Sequence, residues 1–558
     1  MRRVQRRSFL KTLFAGSVTL PFACAERPIW RYDGNVEARF IDAVSPVRGH
    51  LLRQPVDPAQ FNTAIETHVD VLVVGGGVSG LAACWKLRQA GVERLLLVEL
   101  ADRLGGDAAA GQADDLVFPL GAHYINVPPA EADCVHEVLS DLEVITGYDA
   151  AGRPVVNPDH LLRWPDERLW TDGDWVEGLS PFVDAGGAEI EDLRAFEDDM
   201  LRWTLHRGQD GRRAFAMPLA YSTADAGVRA LDTMSMAEYS QKKGWRSPRL
   251  SWLIDQACKD DYGGLAGDVS AWAAIHYFAC RFYDRRLRDE YPSDTLTWPN
   301  GNQFLADGLA RALTIEERWL STAVVRLRAE GSGVEALCIH APTEEPLRVH
   351  AGAVVYAGKL HAAPYVVADL PATQRQALGK LNYVPWLVAA VRLSAKLGDA
   401  GLAWDNVFMD SPSVGYVSAR HQSAPSARGG EVLVYYLPLL GDPATVRHEL
   451  LSADPQRWAR MVMTDLTRVH PQLPELVEGI DICRWGHGMV RPEPGVIWGP
   501  EAELRRQPFG GIAFASCDAG GLPLFEEALY AGIAAAEHCL DVLDVPYTTS
   551  LHGRPSHG

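Results

Sequence analysis

The sequence predicts an α/β fold in which a helix-covered parallel sheet is interleaved with a second, α+β domain. Three observations carry this. An apolar run at 69–74 leads into the glycine turn Gly75–Gly80. A second apolar strand at 95–99 comes one helix later. A tryptophan-rich, helix-patterned stretch at 146–290 then separates that unit from further strand signals, which end in a last buried strand at 512–516.

Taken in order, 69–74 is apolar apart from Asp70, as a strand buried on both faces must be. Residues 81–89 read as a helix closed by Gly91, and 95–99 as the second strand of a βαβ unit. Between 146 and 290 fall Trp164, Trp170, Trp175, Trp203, Trp245, Trp252 and Trp272, with helices predicted at 235–243, 247–258 and 270–288 behind serine N-caps. Asn300-Gly-Asn302 leads into a helix through Ala312. Strands are expected at 323–329, 335–340 and 353–356, then at 381–395 and 431–438 in a second sheet. A helix at 524–543 succeeds the last strand. The first domain is thus assembled from 66–145, 296–365 and 491–545. The second comprises a helical region at 146–295 and a sheet at 366–490. An arm at 26–65 precedes them, and a loose polar tail at 546–558 ends the chain.

The 558 residues, 22% charged with 50 glycines, have a globular composition. A net charge of -19 argues against nucleic acid or anionic lipid as the main partner and suits a cationic small-molecule substrate. The nine cysteines are scattered without a C-x-x-C pair, so neither a metal site nor a disulfide framework is expected.

Residues 1–25 read as a cleavable export signal, with a basic start and a short apolar run that leaves no stable transmembrane segment. Arg6-Arg7-Ser8-Phe9-Leu10-Lys11 resembles the twin-arginine signal. That resemblance implies the twin-arginine export machinery as a partner, export of an already folded chain, and a periplasmic or extracytoplasmic location. A lipid anchor at Cys24 and an amphipathic membrane anchor are the alternatives.

Gly75-x-Gly77-x-x-Gly80 lies between a strand and a helix, the context in which such a run binds a dinucleotide. Gly75 permits the turn, Gly77 admits a pyrophosphate, and Gly80 lets helix and strand approach. Glu99, 19 residues past Gly80 (99 − 80), stands where an acid takes ribose hydroxyls. Five further runs, Asp102–Asp107, Phe118–Tyr124, Thr322–Leu327, Ala353–His361 and Phe514–Gly521, resemble segments of the FAD-containing amine oxidase and phytoene desaturase superfamily. The resemblance implies a Rossmann-like FAD-binding domain of the p-hydroxybenzoate-hydroxylase and amine-oxidase type. It implies FAD contacts at Gly75, Gly77, Ser79, Gly80, Glu99, Arg103, Gly105, Gly106, Ala122, Val324 and Asp518. Asp518 either bonds the ribityl hydroxyls or caps a helix.

Three departures stand out. Asp107 replaces the superfamily's usual arginine, Ala389 lies near the position of its active-site lysine, and no aromatic cage is recognisable around Cys517–Leu522. The candidate catalytic residues are His123 and His487. His276, four residues from Trp272 and Cys280, reads as core, and Asp260 and Asp261 could hold a cation.

The expected function is an exported FAD-dependent oxidoreductase that takes a hydride from an organic substrate onto flavin N5. The resemblance points to an amine, with oxygen, a quinone or a protein as electron acceptor. A desaturase or isomerase of a polyene or lipid, its tunnel lined by the aromatics of 164–290, is one alternative. A non-catalytic binding protein on the same scaffold is the other.

Overall fold

The computed structural model describes residues 32–43, 46–113, 115–281, 295–398, 402–423 and 430–551. The export signal and Cys24 lie outside the described residues. Two large sheets organise the chain. In the first, the strands run Arg318–Trp319, Leu95–Val98, Ile65–Val74, Glu345–Tyr356, Gly333–His340 and Thr322–Glu330, and Ile512–Phe514 also pairs with Glu345–Tyr356. The pairs Leu95–Val98/Ile65–Val74, Ile65–Val74/Glu345–Tyr356 and Glu345–Tyr356/Ile512–Phe514 are parallel. The apolar runs read as buried strands therefore do sit in the parallel part of this sheet, which Gly333–His340 and Thr322–Glu330 extend with antiparallel pairs.

Helix Val78–Gln89 covers one face of this sheet and packs against helix Phe525–Val542. The two helices approach so closely that a Cβ on Gly532 would stand 2.1 Å from the Ser79 carbonyl oxygen. First and last segments of the chain thus close around one core, which includes Val71, Leu81, Leu97, Val355, Leu529 and Ile533.

The second sheet has eight strands in the order Ala38–Phe40, Val477–Val490, Tyr383–Leu393, Glu431–Pro438, Gly415–Ser418, Asp405–Phe408, Glu167–Thr171 and Asp174–Glu177. The expected strands at 381–395 and 431–438 are its centre. The arm at 26–65 proves more structured than a wrapping linker: Ala38–Phe40 adds an edge strand, pairing in parallel with 480–482.

The helical region packs on itself. Trp272, Phe215, Phe196 and Phe278 fill its own core, with Trp203 and Trp245 packed against it. The expected tunnel lined by these tryptophans is therefore not what they form. His276 is completely buried there, its Nε2 3.0 Å from the Ala216 carbonyl and its ring stacked on Trp272. Helix 270–288 is described as Ala271–Arg281.

The tail also differs from expectation over its described part. Lys86, 1% exposed, donates to the Thr548 carbonyl (2.6 Å) and the Ser550 hydroxyl (2.6 Å), and Glu537 accepts from the Ser550 N–H (2.8 Å). A buried ammonium must find acceptors, and residues 548–550 supply them. No helix among the described residues is long and apolar enough to cross a membrane.

Candidate active site

A cavity of about 610 Å³ runs from the carboxyl ends of the parallel strands to the face of the second sheet. Open α/β sheets place ligands at such strand ends. Of the residues expected at the site, Gly75, Gly77, Ser79, Glu99, Gly105, Gly106, Ala122, His123, Val324 and His487 line it.

The glycines of the turn are small for different reasons. Gly75 has φ +106°, and a Cβ there would lie 2.9 Å from the Ala357 carbonyl oxygen. On Gly80 a Cβ would lie 1.9 Å from the Gly75 carbonyl oxygen. Backbone packing explains both. Gly77 has φ -77°, which any residue adopts, and its Cβ would meet nothing nearer than the Gly106 Cα at 3.7 Å. Nothing among the described residues requires a glycine there; a ligand against the helix N-terminus would.

Glu99 accepts from the Gly76 N–H (2.5 Å) and the Ala101 N–H (2.7 Å), which oppose the upward push of burial on its pKa. The carboxylate therefore shapes the glycine loop as well as facing the cavity. Gly80 and two other expected contacts do not line the wall. Arg103 is exposed and pairs with its neighbour Asp102 at 3.1 Å. Asp518 is completely buried, its carboxylate accepting from the Tyr383 hydroxyl (2.7 Å) and the Leu360 N–H (3.1 Å). It ties the last strand to the second sheet.

The strand Tyr383–Leu393 carries no lysine on either face. Side chains alternate between faces, and the cavity face carries Trp386 and Val388. Ala389 packs on the far side with Tyr435 and Ile482. Neither Val388 on the cavity face nor Ala389 behind it carries an amine.

Several wall residues escaped the sequence reading. Lys359 donates to Asp107 (2.7 Å) and to the Gly488 carbonyl (2.8 Å). Burial acts to lower its pKa, but Asp107 and Asp518 raise it on balance. The aspartate that replaces the family arginine therefore carries its cation from another segment. Lys359 and His361 lie just past the strand that ends at Tyr356, inside the run 353–361 that carries the resemblance, but neither was singled out as a site residue. His361 stacks on His487 with ring centroids 3.9 Å apart. Burial and neighbouring cations push their pKa values down to about 4 and about 2, so both rings are neutral.

At the other end, His123 stacks on Tyr436 (4.6 Å between centroids) beside Trp404 (5.4 Å). Asp260 and Asp261, from helix Pro248–Tyr262, reach the same wall, and Tyr124 donates to Asp260 at 3.4 Å. Two wall atoms, Trp386 Nε1 and Asn302 Oδ1, are buried and have no hydrogen-bond partner among the described residues. Each such atom costs about 1–3 kcal/mol unless a ligand completes it. With the open cradle at Gly77, they fit an FAD bound along the cavity. The helix Phe525–Val542 presents its N-terminal residues Leu524, Phe525 and Glu526 to the same space.

Comparisons with known proteins agree with this geometry. The NAD(P)-binding Rossmann-like domain profile matches residues 73–142. Oxidoreductase PigB of Serratia sp. is 22% identical over 88% of this chain and 78% of its own length. A putative flavin-containing monoamine oxidase, AofH, of Mycobacterium tuberculosis is 27% identical over 48% of this chain and 53% of its own. Among solved structures, putrescine oxidase bound to putrescine superposes with a TM-score of 0.64 at 18% identity, covering 86% of this chain and 100% of that one. Cyclohexylamine oxidase from Brevibacterium oxydans superposes at 0.62 and 18%, covering 85% and 99%. The chain therefore has the Rossmann-containing α/β fold of the FAD-dependent, amine-oxidase-like oxidoreductases.

Proposed function

We propose that the chain is an FAD-dependent oxidoreductase that oxidises a small cationic amine. The glycine cradle and Glu99 would hold the adenosine diphosphate half of FAD. Bound FAD supplies a two-electron acceptor for a hydride from the substrate. The observation that carries the amine reading is the far end of the cavity, where Asp260 and Asp261 share a wall with His123, Tyr124 and Tyr436. Carboxylates attract an ammonium, and aromatic faces add cation–π attraction of about 0.5–2 kcal/mol. PigB, AofH and the two superposed oxidases carry oxidoreductase or amine-oxidase names, which supports the same chemistry.

The ammonium must lose a proton before its α-carbon gives up hydride. His123 Nδ1 lies 3.2 Å from the Gly121 carbonyl, so the neutral ring carries its proton on Nδ1 and leaves Nε2 as the basic atom. His123 Nε2 takes the ammonium proton, and Asp260 with Tyr124 orients the cation. His487 lies toward the Lys359 end and has no part in this step. Anaerobic mixing of the yellow protein with a panel of amines and unsaturated lipids tests the reading. Bleaching of the flavin band by amines alone supports it. Bleaching by lipids alone would replace it with the desaturase reading.

The export reading rests on Arg6-Arg7-Ser8-Phe9-Leu10-Lys11. Folded export would let FAD be loaded in the cytoplasm and would leave electrons to pass to oxygen or a membrane acceptor outside it. Arg6→Lys with Arg7→Lys keeps both charges and removes the guanidinium forks. Flavin-loaded protein retained in the cytoplasm supports this reading, and normal export of the double variant refutes it.

A further inference from the structure

At the Lys359 end of the cavity, one wall is crowded with nitrogen groups from four segments. Arg447 is fixed by donating to the carbonyls of Gly486 (2.5 Å) and Tyr383 (3.0 Å), and its Nη1 bonds to no described residue. Arg53, from the segment after the arm helix Pro46–Leu51, lies 5.4 Å from the Tyr365 ring, with no side-chain hydrogen bond to a described residue. On the same wall stand the stacked rings of His361 and His487, each within 6 Å of Tyr383. Lys359 completes the group, 6.0 Å above the Tyr383 ring. All five side chains line the cavity.

Asp107 engages Lys359, but no carboxylate makes an ion pair with Arg53 or Arg447 among the described residues. Burial is the main cause that lowers the pKa of both imidazoles, and Arg53, Arg447 and Lys359 each add to it, while the buried Asp518 carboxylate opposes them at His361. In a chain of net charge -19, gathering like charges in a half-buried space is unfavourable unless an anion sits among them. Guanidinium forks suit the flat or tetrahedral oxygens of carboxylate and phosphate.

We propose that Arg53 and Arg447, backed by the His361–His487 stack, form a seat for an oxyanion on the wall of the cavity. The shared chemistry is a phosphate or carboxylate group, and two sources can supply it. One is the diphosphate of the bound FAD. The other is an acid group on the substrate, which would make the substrate a zwitterion with its ammonium at Asp260 and Asp261. This second source rests on the amine reading; the seat itself does not.

Inorganic phosphate is the probe, with chloride at equal ionic strength as control. Thermal shift and flavin absorbance are read in holoprotein, and thermal shift in apoprotein. Arg447→Gln and Arg53→Gln are compared. Arg53→Gln removes no hydrogen bond seen in the fold, so it reports even where Arg447→Gln folds poorly. Each lost charge-assisted contact should weaken binding roughly tenfold or more. Saturable phosphate binding to holoprotein, weakened in the variants with FAD affinity unchanged, supports the seat and assigns it to the substrate. Binding to apoprotein that FAD displaces, with FAD affinity lowered in the variants, supports the seat and assigns it to the cofactor. Phosphate that binds neither form beyond the chloride control, together with unchanged FAD affinity in both variants, overturns the proposal. Phosphate binding indifferent to both substitutions overturns it as well.

Discussion

Gly77 and Gly80 belong to one motif, yet the structure predicts opposite consequences for adding a methyl group to each. On Gly77 the new Cβ meets only Gly106 Cα at 3.7 Å and the Gly105 carbonyl oxygen at 4.0 Å, both ordinary contacts. The apoprotein should accept Gly77→Ala with unchanged thermal stability. With cofactor present, the methyl occupies the place where a diphosphate meets the N-terminus of helix Val78–Gln89. Displacing that group forfeits at least one charge-assisted hydrogen bond, about 1.5–3 kcal/mol. FAD affinity should therefore fall about ten- to a hundredfold. On Gly80 the Cβ stands 1.9 Å from the Gly75 carbonyl oxygen, and the backbone must move. Overpacking of this kind costs about 1–3 kcal/mol, so Gly80→Ala should lower the apoprotein Tm. Apoprotein Tm by scanning fluorimetry and FAD Kd by flavin fluorescence separate the effects. A Gly77→Ala variant that binds FAD with the parent's Kd would refute the placement of the cofactor at this turn.

Three other perturbations have definite outcomes. Lys86→Met strands the buried carboxylate of Glu537 and the acceptors of Thr548 and Ser550, and should cost about 3–5 kcal/mol in thermal or denaturant unfolding; an unchanged midpoint would show the clasp to be neutral. Burial pushes Glu527 up to about 8, above its unfolded value, so the folded state holds the extra proton between the two. Stability should fall as pH rises from about 5 to about 8, by at most about 1.4 kcal/mol per unit from this group, and Glu527→Gln should flatten that slope. Burial raises the Cys517 thiol on the cavity wall, keeping it protonated and a poor nucleophile, so acid precipitation should leave the flavin in the supernatant. Flavin in the pellet would show a covalent link.

The parallel sheet was legible because its signal is local. An unbroken apolar run such as Val71–Val74 suits only a strand covered on both faces, and the glycine turn beside it turns the chain into a helix N-terminus. The glycine half of the candidate site was legible for the same reason. The rest was not, because its residues meet only through pairing between distant segments. Lys359 finds Asp107, and Tyr436 finds His123, across more of the chain than any spacing rule covers. That Ala389 packs away from the cavity was not legible, because a strand's two faces differ by one position and no local signal said which face met the cavity. The tryptophans at 203–272 misled in another way. Aromatic richness marks a core as readily as a tunnel, and only packing decides between them.

The sheet order has a consequence for how the molecule comes into being. Strand Ile65–Val74 is flanked on one side by Leu95–Val98, made soon after it, and on the other by Glu345–Tyr356, made much later. The helix carrying the cofactor turn waits longer still, since Lys86 meets Glu537 and Ser550, more than 450 residues further along the chain. A ribosome-bound chain therefore holds an unfinished nucleotide pocket until nearly all of it has emerged. An excised fragment spanning residues 66–145 would expose a strand edge and an orphaned ammonium. The cofactor pocket is therefore built from segments far apart in the sequence and not from residues 66–145 alone.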